Sequence, residues 1–487
     1  MLSNAEILRD PSSLGPRERM AIAVQDMPCQ EPAIRATNME EVALGYSEEQ
    51  ARLEAARCLQ CKTAPCIAGC PVGIDIPGFL AETVVGRYAE AAAIIRLTNL
   101  LPAICGRVCP QEVQCQAPCT LGKALKSVDK AVQIGRLERF VADREREAIA
   151  GGAVVAAVSL APATGKRVAV VGSGPAGLTV AADVRRAGHE VVIFEAFQKV
   201  GGVMVYGIPE FRLPKAIVRE EAAKLEAMGV RFELNTLVGR TRPLQALLDE
   251  EGFDAVFVGV GAGLPKFMNI PGEILVGVFS ANEYLTRANL MKAWDRQKAA
   301  TPLYPSQRVA VLGGGNVAMD AARMALRLGA AEVHVLYRRT RAEMPARAEE
   351  VGHAMEEGIQ FQFLTNPVEI YGNGEGRVAG VVAQAYQLGE PDESGRRRPV
   401  AIPGSERKQD FDTVIVALGN ESNPLLAKTT PGLKVDKWSH ILVDGEQRTS
   451  MDRIWAGGDI VLGAATVILA MGEGRRAAVS INRFLAG

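Results

Sequence analysis

Arg167-Val-Ala-Val-Val-Gly172-Ser173-Gly174-Pro175-Ala176-Gly177 is a short β-branched run that stops on glycines and opens into an amphipathic helical pattern reaching about Ala187. A second apolar run, Glu190 to Phe194, follows and ends in Glu195. In that order a G-x-G-x-x-G segment holds a dinucleotide. Its glycines allow a tight turn and let a pyrophosphate approach the helix N-terminus, while the acid accepts hydrogen bonds from a ribose. A structural turn in an unrelated α/β domain can carry the bare motif; the flanking strands give it weight.

The same order recurs about 140 residues later: strand Arg308 to Leu312, glycines 313 to 315, helix to Leu328, strand Glu332 to Leu336. Gly313-Gly-Gly315-Asn316-Val317-Ala318 ends in alanine, an accepted variant. Its second strand runs into Tyr337-Arg338-Arg339 instead of an acid. A carboxylate there would repel a 2′-phosphate and two guanidiniums can grip one, so NADP(H) is expected, against the alternative of a solvated basic turn. Two βαβ starts predict two Rossmann-like folds, and two copies so far apart exclude a solenoid. Two more strands, Ala255 to Gly261 and Thr413 to Gly419, bracket the second unit. It therefore reads as an insertion whose entry and exit strands lie side by side, with the first fold completed after about residue 420. Near the C-terminus, Ile454-Trp-Ala-Gly-Gly-Asp459 reads as a strand running into Gly-Gly-Asp, before a small-residue helix from about Ala464.

The chain has 487 residues, 55 basic and 56 acidic, so it provides no field for holding nucleic acid or an anionic membrane. Its length suits roughly three domains. The N-terminus lacks a signal-peptide pattern, and no apolar run approaches the ~20 residues that span a bilayer; a cytoplasmic protein is expected. Aromatics make up only 5 % against 49 glycines, which favours backbone approaching a cofactor over stacking on nucleic acid.

All nine cysteines lie between Cys29 and Cys119. Around them, Ser47 to Leu59, Pro77 to Leu97 and Val132 to Arg144 carry helical periodicity, and Ile149 to Lys166 reads as a connector. Cys58-x2-Cys61-x4-Cys66-x3-Cys70-Pro71 is followed by Cys105-x3-Cys109-Pro110-x4-Cys115-x3-Cys119. In a cytoplasmic chain a disulfide framework is disfavoured. Zinc ribbons use paired C-x2-C knuckles and only one is present, whereas Cys-Pro endings resemble bacterial ferredoxin ligation. Two [4Fe-4S] clusters sharing ligands between the two runs are the expectation, with zinc or structural thiols as alternatives. No cysteine follows Cys119, so a flavin in the body would have no disulfide as its outlet. FAD converts between a two-electron hydride and one-electron clusters.

In the order of these parts the chain resembles the NADPH-dependent glutamate synthase small (β) subunit family. That family includes the large subunit of NADH-dependent reduced ferredoxin:NADP oxidoreductase, a bifurcating relative; the N-terminal part of dihydropyrimidine dehydrogenase is more distant. The resemblance covers about residues 35 to 487. It rests on Arg57-Cys-Leu-Gln-Cys61, Ala64-Pro-Cys66, Gly69-Cys-Pro-Val72, Cys105-Gly-Arg-Val-Cys-Pro-Gln-Glu112, Ile134-Gly-Arg-Leu-Glu138-Arg-Phe, Gly201-Gly202-Val-Met-Val-Tyr206-Gly-Ile-Pro209 and Tyr337-Arg-Arg339. It implies FAD on Gly172, Ser173, Gly174, Pro175, Ala176 and Gly177, with Glu195 at the ribose. Gly201 and Gly202 would lie against the flavin and Asp459 at the ribityl chain, where read alone it could simply cap a helix. NADPH falls to Gly313, Gly315, Asn316, Val317, Arg338 and Arg339. One cluster would take Cys58, Cys61, Cys66 and Cys119, the other Cys70, Cys109, Cys115 and Glu138. Counting cysteines alone would choose Cys105 over Glu138. Cys29 matches no motif.

The expected fold class is therefore α/β, two Rossmann-like dinucleotide-binding domains preceded by an all-α iron-sulfur domain. The expected boundaries are 1–150 for the iron-sulfur domain, 166–285 and 421–487 for the FAD domain, and 286–420 for the inserted NADPH domain. The function expected is that of an oxidoreductase subunit passing electrons between NADP(H), FAD and two clusters to a partner protein. That partner is a glutamate synthase large subunit or, where the FAD bifurcates, a flavin and [2Fe-2S] small subunit. Thr37 to Tyr46 and Leu59-Gln-Cys61-Lys-Thr-Ala-Pro-Cys66 lean towards the bifurcating spelling. A non-catalytic assembly subunit with structural clusters is the alternative of another class.

Overall fold

A computed structural model describes residues 3–153, 159–295, 297–393 and 395–487. The N-terminal third is helical: Glu48–Ala56, Ile76–Val84, Tyr88–Arg96, Pro102–Val108 and Ile134–Ala150 are its principal helices. Ser47 starts the first, its hydroxyl accepting from Gln50 N while the Gln50 side chain accepts from Ser47 N, a reciprocal cap. The segment expected as one helix from Pro77 to Leu97 is two, separated at Gly86, whose φ of +82° ends the first. The cysteines lie mostly in turns between these helices. Part of the expected connector, residues 154–158, lies outside the described residues.

The first parallel sheet begins with β1 (Arg167–Val171), β2 (Glu190–Phe194), β3 (Arg231–Glu233) and β4 (Ala255–Val258). Val168, Val170, Ile193 and Phe257 are fully buried, as strands covered on both faces require. The chain then leaves through β5 (Leu264–Pro265) and enters a second sheet at β6 (Val278–Ser280). That sheet continues with β7 (Arg308–Leu312), β8 (Glu332–Tyr337) and β9 (Gln360–Phe363). An antiparallel excursion follows, β10 (Thr365–Gly372), β11 (Val378–Pro391), β12 (Arg397–Ala401) and β13 (Arg407–Asp410). β14 (Thr413–Val416) returns to the second sheet, β15 (Asn420–Glu421) leads out, and β16 (Ile454–Ala456) completes the first sheet.

The sheet orders are β16-β4-β1-β2-β3 and β6-β14-β7-β8-β9. Two expectations change. β4 and β14 are not neighbours; each lies one strand in from the edge of its own sheet, and the entry and exit strands that pair are the next ones, β5 and β15, antiparallel with Asn420 opposite Pro265. The second sheet also starts at Val278, ahead of the expected boundary at 286, which falls inside the helix Ala281–Asn289. The C-terminal helix, Val467–Ala486, starts three residues after the expected Ala464, where the Thr466 hydroxyl accepts from Leu469 N. It packs on the helix Pro175–Arg186 that follows β1. No helix among the described residues is long and apolar enough to cross a membrane.

Candidate functional site

In the first sheet the strand order reverses between β1 and β4, and ligands of open α/β sheets bind at such a crevice. Its three glycines do different work. Gly172 has φ +102°, and a Cβ there would stand 2.4 Å from Gly259 O beyond β4. A Cβ on Gly177 would stand 2.0 Å from Gly172 O, so this glycine closes helix onto strand. A Cβ on Gly174 meets nothing within 4 Å; the free space at the helix N-terminus is what a pyrophosphate needs. Glu195 is buried and accepts from Ser173 N at 3.0 Å, from Ser173 Oγ at 2.5 Å and from Phe197 N at 2.9 Å. Ser173 Oγ in turn accepts from Gly201 N at 2.9 Å, tying the Gly201-Gly202 turn to the glycine loop. Gly202, φ +55°, could not bear a side chain, since a Cβ would come within 2.9 Å of Gly174 Cα.

Asp459 follows Gly458, whose φ is +80°. Burial pushes its carboxyl up to about 6, with the Ala465 backbone acting against it. Tyr206, from the turn after Gly202, is driven well above the usual phenol range by burial and then by Asp459 and Glu195. The Gly172 loop, the Gly202 turn and Asp459 therefore share one polar crevice. That donor set fits a flavin dinucleotide.

At the second fingerprint Gly313 has φ +143° and a Cβ would lie 2.4 Å from Ala417 O, while Gly315 is open but for Pro345 Cγ at 3.9 Å. Asn316 opens the helix Asn316–Arg327, and its Oδ1 accepts from Arg347 N at 2.9 Å; Val317 is exposed. The two arginines after β8 part company. Arg338 is exposed. Arg339 is buried, its Nε donating to Arg397 O at 2.7 Å and its Nη2 to Asp392 Oδ2 at 2.8 Å. Arg338 is thus open to solvent, while the Arg339 guanidinium is held by Arg397 and Asp392. Arg339 fastens the β11–β12 hairpin beside it.

Cys58, Cys61, Cys66 and Cys119 line one small cavity of about 20 Å³. Burial, and then the neighbouring thiols, pushes Cys58 up to about 11 and Cys66 to about 12. Buried thiols of this kind ionise when a metal supplies the charge. Cys70, Cys109 and Cys115 form a second group with Glu138. Burial raises Cys70 and Cys115, and both feel Cys109 and Glu138; Cys109 is raised first by its hydrogen bond with Cys105 and then by burial. Burial also pushes the Glu138 carboxyl up to about 8, opposed only by the Asn99 amide at 2.5 Å. A carboxyl so enclosed, with no basic side chain acting on it, suits a cation. Each group draws on both cysteine runs. No three described His, Cys, Asp or Glu side chains converge on a single point as they would around one ion.

Cys105 is fully buried between Asn99 Oδ1 and Met471 Sδ, each 3.7 Å from its sulfur. Met471 belongs to the C-terminal helix Val467–Ala486, and Cys105 is hydrogen-bonded to Cys109, so the second cysteine group lies close to that helix. The sequence reading missed Asn99 and Met471. Asn99 accepts from Leu101 N two residues on, and an asparagine making such a turn ahead of a helix is a legible signal; nothing in the sequence singles out Met471.

Two fused dinucleotide-binding folds joined to a helical cysteine module define a pyridine-nucleotide oxidoreductase that carries iron-sulfur ligands. Residues 166–474 match the family pyridine nucleotide-disulphide oxidoreductase, and residues 35–149 match dihydropyrimidine dehydrogenase domain II, 4Fe-4S cluster. The chain is 39 % identical over 456 residues to the glutamate synthase [NADPH] small chain of Halomonas elongata, covering 93 % of this chain and 94 % of that one. It is 37 % identical to the same subunit of Escherichia coli, over 94 % and 97 % of the two chains. The NADP(+)-dependent formate dehydrogenase subunit beta of Moorella thermoacetica is 40 % identical over 87 % of this chain and 60 % of its own. Among solved structures, Mycobacterium tuberculosis FprA in complex with NADPH shares the fold at a TM-score of 0.55 and 22 % identity, over 66 % of this chain and 85 % of that one. The chain belongs to the glutamate synthase small chain family of pyridine nucleotide-disulphide oxidoreductases. It keeps the reductase fold without the redox disulfide, having no cysteine between 166 and 474.

Proposed function

We propose that this chain is an NADPH-linked electron-transfer subunit, holding FAD and two [4Fe-4S] clusters and passing electrons to or from a partner protein. The observation that carries it is the contact of Cys105, hydrogen-bonded to Cys109 of the second cysteine group, with Met471 on the helix behind the flavin crevice. When bound, FAD supplies the exchange between a two-electron hydride and single electrons. The residues assigned to it are Gly172 to Gly177, Glu195, Gly201, Gly202 and Asp459. Gly174 leaves room for the pyrophosphate, Glu195 holds the ribose end, and Ser173 fixes Glu195 to the Gly201 turn. Gly313, Gly315, Asn316 and Val317 receive NADPH, and Arg338 provides the charge for its 2′-phosphate.

Cys70, Cys109, Cys115 and Glu138 hold the cluster nearer the flavin. Cys58, Cys61, Cys66 and Cys119 hold the other within the helical core, on the way to the partner. The family's relatives include subunits of glutamate synthase and of formate dehydrogenase, which supports an acceptor on another chain. Anaerobic mixing of the reconstituted chain with NADPH is expected to bleach flavin absorbance, and NADH to do so poorly. An unbleached flavin would sink the proposal and leave structural clusters as the reading. Iron analysis giving no more than about four irons per chain would remove the second cluster. Copurification with a large glutamine-binding protein supports a glutamate synthase, and with a small flavin and [2Fe-2S] protein, bifurcation.

A further inference from the structure

The run Pro345-Ala346-Arg347-Ala348, which leads into the helix Ala348–Glu356, touches two of the candidate sites at once. On one side it lies on the second glycine loop. Ala346 N donates to Gly314 O at 3.2 Å and Arg347 N to Asn316 Oδ1 at 2.9 Å. On the other side it holds the loop of the second cysteine run. The buried Arg347 guanidinium donates through Nη1 to Arg107 O at 2.9 Å and through Nη2 to Gln111 Oε1 at 3.2 Å, two residues to either side of Cys109. Ala348 N adds a bond to Glu112 Oε1 at 3.3 Å. Gln111 is buried too, its Nε2 turned to Cys105 O at 3.4 Å and Gly106 O at 3.5 Å, which leaves its Oε1 to Arg347. The charge of Arg347 is met by Glu349 Oε2 at 2.9 Å and, further off, by Glu112 Oε2 at 3.8 Å.

We propose that this strap couples the two sites, with Arg347 as its positioning residue: a nucleotide seated on the Gly313 loop steadies the loop that carries Cys109. The proposal rests on the nucleotide and cluster assignments made above. A pyrophosphate on the glycine loop orders Gly314 and Asn316, which are the anchors of the strap. Its far end then loses freedom without any large displacement. Coupling of this kind is reciprocal, so a loosened Cys109 loop weakens nucleotide binding by the factor by which the nucleotide steadies the loop. The guanidinium suits the task because its rigid fork holds two acceptors in one geometry, which a lysine ammonium does not.

The test is hydrogen exchange of the oxidised holoprotein with and without saturating NADP+, no reductant being present. In the wild type, NADP+ is expected to slow exchange across 313–318 and, by about 5-fold or more, across 105–116, with 58–66 unchanged. Arg347→Met keeps the reach of the side chain and removes the fork. It is expected to retain iron, flavin and the response at 313–318, and to lose the response at 105–116. The second readout is the paramagnetic resonance of the reduced clusters with adenosine 2′,5′-bisphosphate, the redox-inert half of NADP+. It is expected to shift the signal of one cluster in the wild type and of neither in Arg347→Met. Protection at 313–318 with none at 105–116 in the wild type would overturn the coupling and leave the nucleotide site standing, whatever the variant does. An undiminished response in Arg347→Met would overturn the role of Arg347. A wild type unprotected at 313–318 would overturn the nucleotide assignment itself, and the coupling with it.

Discussion

At the scale of single residues, the glycines of the first fingerprint show how one residue type serves opposite ends. Gly177 is required by the protein, because any Cβ would sit 2.0 Å from a backbone oxygen; at Gly174 the protein imposes no such demand, because a Cβ there meets nothing within 4 Å, and the proposed pyrophosphate is what would need the space. Gly177→Ala is expected to destabilise the chain by about 1–3 kcal/mol through overpacking, read in denaturant unfolding. Gly174→Ala is expected to unfold like wild type when stripped of flavin and to fail in retaining FAD, read by absorbance. The arginine pair divides likewise. Arg338→Ala is expected to raise KM for NADPH about 10- to 100-fold, as the loss of one charge-assisted contact does, with little change for NADH. The tight glycine turns were legible because their spacing is local. The burial of Glu138 with no basic side chain acting on it was not, since it comes from residues distant in sequence, and only the family resemblance singles that position out.

Among the elements, β1, β2 and β7 run over the residues that the sequence predicts, because a β-branched run bounded by glycine has both its period and its ends written locally. The antiparallel excursion from β10 to β13 was not foreseen. β12 reads Arg397-Arg-Pro-Val-Ala and is largely exposed, so it shows neither an apolar run nor a clean alternation. What keeps it in place is pairing with β11, Tyr386 opposite Ala401, and the Arg339 fastening from the end of β8. Arg339→Ala is therefore expected to loosen the hairpin and leave the sheets intact. Hydrogen exchange should speed up across 386–401 and stay unchanged in β7 and β8. Exchange spread over the whole second sheet would show that Arg339 supports the fold and not the hairpin.

On the scale of the whole molecule, the parts are joined by buried charge rather than by apolar contact alone. Glu357, at the end of the helix Ala348–Glu356, is the hub: it meets Arg35 of the N-terminal segment at 3.0 Å, and Arg323 and Arg327 of the nucleotide helix at 2.7 Å each. Arg212, beyond the Gly202 turn of the first fold, reaches Asp320 at 2.7 Å and Glu350 at 3.3 Å. Such pairs stabilise little compared with well-packed apolar side chains, but breaking one strands its partners in a low dielectric. Glu357→Gln leaves Arg327 without a carboxylate partner, while Arg35 keeps Glu356 and Arg323 keeps Glu350, and is expected to cost about 3–5 kcal/mol, against less than about 0.5 kcal/mol for the exposed Glu375→Gln. Burial alone would raise the Glu357 carboxyl, and Arg327 and Arg323 outweigh it, holding it at about 2. A carboxyl depressed in the folded state contributes stability that is complete above its unfolded value of 4.5 and is lost as the pH falls towards about 2. The stability gap between wild type and Glu357→Gln, measured by denaturant unfolding, should therefore narrow as the pH is lowered from about 5 to about 3. A gap that stays constant over that range would show that the hub acts by its shape and hydrogen bonds, with its charge contributing nothing to the joint.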